Sequence, residues 1–204
     1  MPRTAAASKP EDLRQAVLDA SVKLIESEGL AALSLRRVAK EAGVSHQAPY
    51  HHFANREAIF AAIAHEGFAG LAHATREATR VKSARARVRA AVRAYVRIAM
   101  ERPAHFRIMF RPELVNLMNH SDAKDAAHDA YAALVALGQS LKDDRVAAGL
   151  STQAIVDTLW SACHGAASLV LDGLYSGAKE ADPDAVAFGD RVADSMARLM
   201  SIDG

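Results

Sequence analysis

The chain has 204 residues, of which half are apolar but only 5% are aromatic, and 45 alanines supply much of the apolar share. Alanine favours helices and is poor strand material, so a β-sandwich or barrel is excluded and an all-α protein is expected. A single cysteine, Cys163, excludes a disulfide framework and an all-cysteine metal site, and a formal net charge of +1 identifies no partner.

Neither the charge nor the hydropathy pattern points to a membrane. No run approaches the roughly 18 apolar residues of a membrane span, and the N-terminal residues lack the apolar core of a signal peptide. We therefore expect a soluble, cytoplasmic protein. Residues 76–111 carry 11 basic and two acidic side chains, whereas residues 112–204 carry six basic and 14 acidic ones. The two ends of the molecule should therefore face different surroundings.

Apolar residues recur at helical spacing along most of the chain, which predicts about nine helices and no strand. Residues 1–10, with Arg3 and Lys9, are expected to form a disordered basic arm. Residues 11–57 should form an N-terminal helical domain, and a fourth helix should link it, onward to about residue 80, with a C-terminal domain over residues 58–204. The predicted helices cover residues 10–27, 34–43, 46–53, 55–80, 83–102, a short segment around 106–110, 121–148, 151–176 and 183–201.

The second and third predicted helices have the spacing of a helix-turn-helix, since the Ala-Gly-Val-Ser of residues 42–45 forms the turn where one ends and the other begins. Gly43 would supply the turn, while Val44 and Phe53 would fasten the pair to the core. The third helix would then expose mostly polar, uncharged side chains, of the kind that meet base edges and phosphates: His46, Gln47, Ala48, Tyr50, His51 and His52.

Residues 33–60, LSLRRVAKEAGVSHQAPYHHFANREAIF, resemble the DNA-binding region of the TetR family of transcriptional regulators. The resemblance rests on the Gly-Val-Ser of residues 43–45, the Tyr-x-x-Phe of residues 50–53 and the Asn-Arg-Glu of residues 55–57. Two positions depart from the usual pattern, because Pro49 replaces an aliphatic residue and Arg56 replaces a lysine. Pro49 is tolerated if the helix begins near Gln47, since proline fits the first turn of a helix.

The resemblance implies a set of DNA-contacting positions, which divide into base readers (His46, Gln47 and Ala48, with help from Arg36), phosphate contacts (Tyr50, His52 and Arg56) and helix caps beside the DNA backbone (Ser34 and Ser45). It also implies a homodimer on double-stranded DNA with an inverted-repeat operator, most often a repressor that a small effector releases. Arg36 and Arg37 lie in the first turn of a helix, where the dipole disfavours a cation. A nearby phosphate or guanine would offset that penalty; a solvated face is the alternative.

Catalytic and metal-binding signatures are missing from the sequence. The histidines at positions 46, 51 and 52 lack the i, i+4 spacing of helical zinc sites, so no metal is expected. There is no Gly-x-Ser-x-Gly elbow, Gly-rich phosphate loop or His-Glu-x-x-His motif. The neighbours Cys163 and His164 would diverge on a helix, which favours a packing cysteine. We expect neither an enzyme nor a cofactor, and an enzyme using His105 or His164 is the least favoured alternative.

Trp160 and His164 lie four residues apart, hence on one helix face, and Gly165 follows. The segment resembles the Trp-x-x-x-His-Gly signature of one C-terminal subgroup of the same family. Two interpretations stay open: these side chains line a ligand cavity, or they are ordinary core. Core packing explains the spacing of the other candidates almost as well. The candidate cavity residues are Tyr95, His105, Phe106, Met109, Phe110, Tyr131, Trp160 and His164, with Met100 and Met118 as further members.

Two further surfaces carry expectations. The arginines at positions 85, 89, 93 and 97 form an i, i+4 stripe, which favours a solvated cationic face; recognition of an anionic effector is the alternative. The last two helices carry apolar stripes that would pair into a four-helix bundle between two protomers. The predicted interface residues are Ile155, Leu159, Ala162, Ala166, Val170, Val192, Met196 and Leu199.

The alternative function of a different class is a constitutive helical DNA-binding protein without an effector.

Overall fold

The computed structural model describes residues 10–145, 149–174 and 183–200, so the predicted arm lies outside the described residues except for Pro10. The described chain is helical without a strand, which confirms the all-α class. The α-helices are α1 (Pro10–Glu28), α2 (Leu35–Glu41), α3 (Arg56–Thr79), α4 (Ala84–Glu101), α5 (Pro103–Met109), α6 (Ser121–Asp143), α7 (Thr152–Leu171) and α8 (Pro183–Leu199). Short 3₁₀ helices lie at Leu30–Ala32, Ala48–His51 and Leu117–Asn119.

Short polar side chains set the starts of four of these helices. Ser34, Asn55, Ser83 and Ser151 each accept a hydrogen bond from the backbone N–H three residues later, at 2.9–3.3 Å. A helix start leaves four backbone N–H groups without a partner, and such a cap satisfies one of them. The predicted starts of α2, α3, α4 and α7 are therefore correct to within about a residue.

The predicted third helix, residues 46–53, is wrong in type and length, because only Ala48–His51 is helical and its pattern is 3₁₀. Tyr50 N donates to Gln47 O and His52 N donates to Pro49 O, both at 3.1 Å. These are i to i+3 bonds, the pattern of the tighter helix. Pro49 has no N–H and its ring crowds the carbonyl one turn back, so an α-helix through this residue is disfavoured.

The predicted end of the α6 segment was also too late. The helix ends at Asp143 rather than near residue 148, and Arg145 then adopts a left-handed backbone with φ 58°. The helix predicted over residues 151–176 also ends earlier, at Leu171, since residues 172–174 are described and are not helical. Residues 148, 176 and 201 themselves lie outside the described residues.

A continuous apolar core joins the N-terminal helices to the rest of the chain. Val17 of α1 and Val38 of α2 belong to the same buried cluster as Ile59 and Ile63 of α3 and Ile108 of α5. A second cluster packs α4, α6, α7 and α8 together. Because α3 begins beside the N-terminal helices and packs along α4, α5 and α6, it is the long element that connects the two parts.

The helix α7 is long and apolar enough to cross a membrane by length and composition. This differs from the expectation that no apolar run approaches the length of a membrane span. Ile155, Val156 and Leu159 of this helix are almost completely buried against the chain's own helices, whereas Trp160 and Leu169 are 39% and 38% exposed. A helix that is apolar on most of its surface is also what the core of a folded helical body requires.

Candidate functional site

The residues predicted to meet DNA lie in and around the 3₁₀ helix. We call residues 45–52 the reading segment. Gly43 turns the chain after α2 with φ 68°, a left-handed conformation that glycine adopts without strain. The side chains of His46, Gln47 and Tyr50 are exposed, Tyr50 by 54%, and His52 is half-buried. The helix-turn-helix arrangement thus presents polar groups outward, as predicted, on a shorter helix.

Two predictions for the reading segment are wrong. Ala48 is only 8% exposed, so it cannot meet a base edge as the surface stands; like Pro49, it packs inward. The early 3₁₀ turn rotates these two side chains toward the core. Ser45 does not act as a side-chain cap: the 3₁₀ helix has no side-chain cap bond, and Ser45 contributes its carbonyl, which accepts from Ala48 N at 3.0 Å.

The paired arginines at the start of α2 have different surroundings. Arg37 donates to Glu28 at 2.5 Å, which ties α2 to the end of α1 and lowers the pKa of the Glu28 carboxyl. Arg36 is exposed and has no hydrogen bond or ion pair within the described ranges. Arg36 is therefore the member of the pair whose guanidinium is available to a phosphate or a guanine.

Arg56, a predicted phosphate contact, is engaged inside the chain. Its Nη2 donates to Leu30 O, and its guanidinium carbon lies 4.9 Å from the centre of the Phe60 ring. Its Nε is buried and has no hydrogen-bond partner among the residues that the structure describes. Arg56 thus fastens the first turn of α3 to the turn at Leu30–Ala32, a role that no local sequence pattern indicates.

Several predicted cavity residues meet in a packed aromatic cluster, which we define as Tyr95, Phe106, Phe110, Tyr131, Trp160 and His164. The Tyr95 hydroxyl lies 3.0 Å from His164 Nδ1, and the His164 ring stacks on Phe106 at 5.2 Å. Phe110 meets the same imidazole edge-on at 4.6 Å. Burial raises the pKa of Tyr95 and lowers that of His164, so both groups are held in their neutral forms.

The outer part of the aromatic cluster reaches the surface. Trp160 lies 6.1 Å from Tyr131 and 6.5 Å from Phe110, ring centre to ring centre. Both Trp160 and Tyr131 are about two-fifths exposed, at 39% and 40%. Met118, a further candidate, is 74% exposed on the segment before α6 and is not part of the cluster. Cys163 is buried in the same core as Tyr95 and Phe106. Burial raises the pKa of its thiol to about 12, which agrees with a packing role and not with a reactive thiolate.

His105 and Met109 lie apart from the aromatic cluster, against α3. His105 Nε2 is 3.2 Å from a carboxylate oxygen of Glu66, and Gln15 of α1 donates to the other oxygen at 3.4 Å. The hydrogen bond with His105 lowers the pKa of Glu66. Met109 packs so closely on Gly67 that a Cβ at residue 67 would collide with its sulfur. These contacts fasten α5 to α3, and His105 and Met109 act there as packing and linking residues.

An open groove of about 910 Å³ lies between α3, α4 and α8. Of all the residues predicted to line a cavity, it includes only Met100. A second, more polar cleft of about 630 Å³ lies between α1, α3 and the start of α6, where His52, His65 and His120 line it. The aromatic residues that the sequence offers as cavity candidates therefore line neither of these two spaces.

The arginine stripe of α4 is not simply a solvated face. Arg89 lies 2.5 Å from Asp194, and Arg93 lies 2.5 Å from Asp190, so two of its members pair with acidic residues of α8. The ion pairs are partly exposed and each contributes little to stability. They nevertheless match the basic α4 to the acidic C-terminal part of the chain, which explains the uneven charge of the sequence.

Half of the predicted dimer interface is wrong. Ile155, Leu159, Ala166 and Val170 are at most 4% exposed within the protomer, because the apolar stripe of α7 faces the chain's own core. Ala162, Val192 and Met196 are half-buried, and Leu199 is 65% exposed.

The exposed face of α7 carries Ser161, Gly165 and Leu169, at i, i+4 spacing. A Cβ added at Gly165 would have no neighbour within 4 Å. This face is open to a second molecule, whereas the apolar stripe is not.

Comparisons with known families cover both parts of the chain. The model of the family described as "Bacterial regulatory proteins, tetR family" matches residues 17–63, and the model described as "Tetracyclin repressor-like, C-terminal domain" matches residues 88–196. The HTH-type transcriptional repressor AcnR of Corynebacterium glutamicum is 33% identical over 73 residues, which are 36% of this chain. The matched segment spans 39% of that relative's length.

Solved structures resemble the whole chain. A protein of unknown function from Rhodococcus sp. RHA1 is 26% identical, with a TM-score of 0.75 over 98% of this chain and 99% of that one. The TetR-family regulator PfmR from Thermus thermophilus is 19% identical, with a TM-score of 0.70 over 97% of both chains. FadR from Bacillus subtilis, solved with stearoyl-CoA, is 15% identical, with a TM-score of 0.69 over 92% of this chain and 97% of that one. At these identities the last two show a shared fold.

Proposed function

Since this chain belongs to the TetR family of bacterial regulatory proteins, whose members are DNA-binding transcription factors rather than enzymes, we propose that it is a homodimeric repressor. It binds an inverted-repeat operator in the cytoplasm and leaves it when a small apolar effector binds. The proposed division places a DNA-binding domain at residues 11–57 and a ligand-binding and dimerisation body at residues 58–204. The likeness of the N-terminal region to AcnR, a named repressor, supports the direction of regulation.

The observation that carries the proposal is the surface of the reading segment. His46 and Gln47 are exposed at the start of a short helix that α2 and α3 hold in place, and Arg36 lies nearby on α2 without a partner in the described chain. A glutamine amide can both donate to and accept from an adenine edge, and an arginine can donate to guanine or to a phosphate. We assign base reading to His46, Gln47 and Arg36, and no longer to Ala48.

The proposed phosphate contacts come from Tyr50, His52 and Arg56. Tyr50 presents its hydroxyl on the surface, while His52 is half-buried beside the polar cleft. Leu30 O already uses one N–H group of Arg56, so a phosphate would meet the remaining donors of the same guanidinium. Ser34 caps α2, and its neighbouring backbone N–H groups lie at the N-terminal end of that helix, where an anion is favoured.

The proposed dimer uses the exposed face of α7 together with the outer side of α8. Ser161 and Gly165 leave room for another backbone to approach, and Leu169 and Leu199 offer apolar side chains to bury. Two helices from each protomer form a four-helix bundle, and two-fold symmetry then places two reading segments on two half-sites.

Effector response requires that ligand and operator favour different states of the dimer. A coupling of about 1–3 kcal/mol changes operator affinity roughly 5–150-fold. The structure of FadR from B. subtilis holds stearoyl-CoA, which supports an effector with an extended apolar part on the same fold.

The decisive experiment is selection of bound sequences from random double-stranded DNA by the purified full chain. We expect an enriched inverted repeat whose half-sites lie about one helical turn apart. The double variant His46→Ala, Gln47→Ala keeps the fold and the arginines. It should still bind DNA, but no particular sequence should be enriched among the bound molecules. Retention without any preferred sequence in the wild type would instead establish the constitutive DNA-binding alternative, and no retention at all would refute DNA binding.

A further inference from the structure

The groove between α3, α4 and α8 has the size of a ligand site. Its volume of about 910 Å³ lies within the roughly 300–1,000 Å³ of small-molecule sites in proteins. Its floor consists of small or apolar side chains from α3 and α4, among them Ala74, Ala90, Ala94, Val96 and Met100. Methyl groups of alanine are too short to fill the space between three long helices, so the composition of these faces itself leaves the groove open.

A close contact holds α8 in place at the edge of this groove. A Cβ added at Gly189 would lie 3.1 Å from Val96 Cγ1, so the backbone of α8 already rests on the Val96 side chain. The ion pairs from Arg89 and Arg93 to Asp194 and Asp190 lie along the same pair of helices. The two helices are therefore in contact on one side of the groove, and α8 cannot move further toward α4 to close it.

The charges at the rim are matched. Arg93 faces Asp190 at 2.5 Å, Arg97 lies 3.8 Å from Glu101, and Glu77 pairs with Arg80. An anionic ligand beside either arginine would meet an acidic neighbour, and a cationic ligand beside an acid would meet an arginine. A charged ligand of either sign would therefore find no unpaired opposite charge at the rim. An uncharged ligand would still bind favourably, because removing its apolar surface from water lowers the free energy.

We propose that this groove binds an uncharged, apolar small molecule. The proposal deepens the proposed function, since it gives the effector a site and a chemical class, and only its regulatory consequence rests on that function. The C-terminal half of α3 forms one wall, and the same helix begins beside the reading segment. An occupant that moves this wall would move the DNA-binding end as well.

Fluorescence titration with the uncharged dye Nile Red tests the site in the full chain without DNA. Ala94→Trp fills the floor from a half-buried position and should weaken Nile Red binding at least tenfold. Ala136→Trp adds the same side chain at an exposed position of α6 that does not line the groove, and should leave binding unchanged. Ala90→Leu is a milder filling variant, and thermal melts establish that each variant is folded.

Several outcomes would overturn the proposal. Undiminished binding by both Ala94→Trp and Ala90→Leu would place the dye outside the groove. Loss of binding in Trp160→Ala instead would place it in the aromatic cluster. Tighter binding of anionic 1-anilinonaphthalene-8-sulfonate or cationic rhodamine 6G, lost in Ala94→Trp, would refute the uncharged class. A fall in dimer content of Ala94→Trp on sedimentation would make the groove a subunit surface.

The regulatory consequence has a separate readout. Nile Red should lower the operator affinity of the wild type and leave that of Ala94→Trp unchanged. If the wild type binds no operator, the proposed function fails while the dye titration still decides the groove. If the dye binds in the groove and operator affinity stays constant, the site stands and its role as effector site is refuted.

Discussion

Gly165→Arg should give a folded protein that dimerises poorly. Gly165 lies on the exposed face of α7, and a Cβ there would have no neighbour within 4 Å in the protomer. The new side chain therefore has room in the monomer. In the proposed four-helix bundle it would instead lie where the partner's α7 approaches, once from each protomer.

The two effects have opposite signs. Replacing a glycine in a helix interior by a good helix former stabilises the protomer by about 0.5–1 kcal/mol. An uncompensated charge in a buried contact costs on the order of 3–5 kcal/mol. Even one such charge, at the lower cost of about 3 kcal/mol, weakens dimer affinity roughly 100-fold, since about 1.4 kcal/mol corresponds to a factor of ten. We expect a folded monomer with only non-specific DNA affinity, whose melting temperature no longer depends on protein concentration.

Two arginine variants serve as controls for the same titration. Ala136→Arg places the charge on the exposed face of α6 and should stay dimeric with full operator affinity. Ala166→Arg, one residue away from Gly165, should lower the melting temperature, because Ala166 is 4% exposed in a cluster with Val96 and Val170. Sedimentation, thermal melting and operator titration on one sample separate the cases. A Gly165→Arg dimer that binds its operator as tightly as the wild type would refute this interface.

Three further predictions concern the DNA-binding surface and the aromatic cluster. Arg36→Ala should weaken binding and, if Arg36 meets a phosphate, lower the slope of log affinity against log salt by about one unit; Arg37→Ala, whose partner is Glu28, should change it less, and equal slopes for the two would remove Arg36 from the contacts. Gln47→Ala should cost about 1–3 kcal/mol on the selected operator and relax preference at one position of each half-site, whereas a uniform loss on all operator variants would mean that Gln47 reads no base. His164 should titrate below its ordinary pKa of 6.5 by NMR, because burial disfavours its charged form. The stability that the neutral ring contributes is present above the pKa of the unfolded chain and is lost as the pH falls toward the lower pKa of the folded chain. His164→Asn should therefore flatten the fall in melting temperature below about pH 6.5.

The positions of most helices could be predicted from the sequence, because the interactions that set them act over a few residues. Serine and asparagine caps, a glycine in the turn at residue 43 and apolar spacing along the chain place most of the helices, and each depends only on neighbours within about one turn. The short reach of these patterns also explains why the α-helix predicted over residues 46–53 is wrong. Pro49 indicates a disturbance of the helix, but whether the chain responds with a later α-helix or a 3₁₀ turn depends on how the segment packs.

The folded surface was decided by contacts that spacing does not contain. An apolar stripe indicates that one side of a helix avoids water, and it does not indicate whether α4 or a second molecule covers that side; for Ile155 and Leu159 the answer is the chain's own core. Likewise, Arg56 bonds to a carbonyl 26 residues earlier, and Arg89 and Arg93 find acidic partners about 100 residues later.

The sequence by itself determined the helical class, the family and the polar residues beside the turn, because short patterns of caps, glycine and aromatic residues encode them. Only the tertiary structure decided that Ala48 turns inward, that the aromatic residues pack against one another and that open space lies between α3, α4 and α8. Empty volume is what remains after all helices have packed, so it depends on every distant contact at once and on no local pattern.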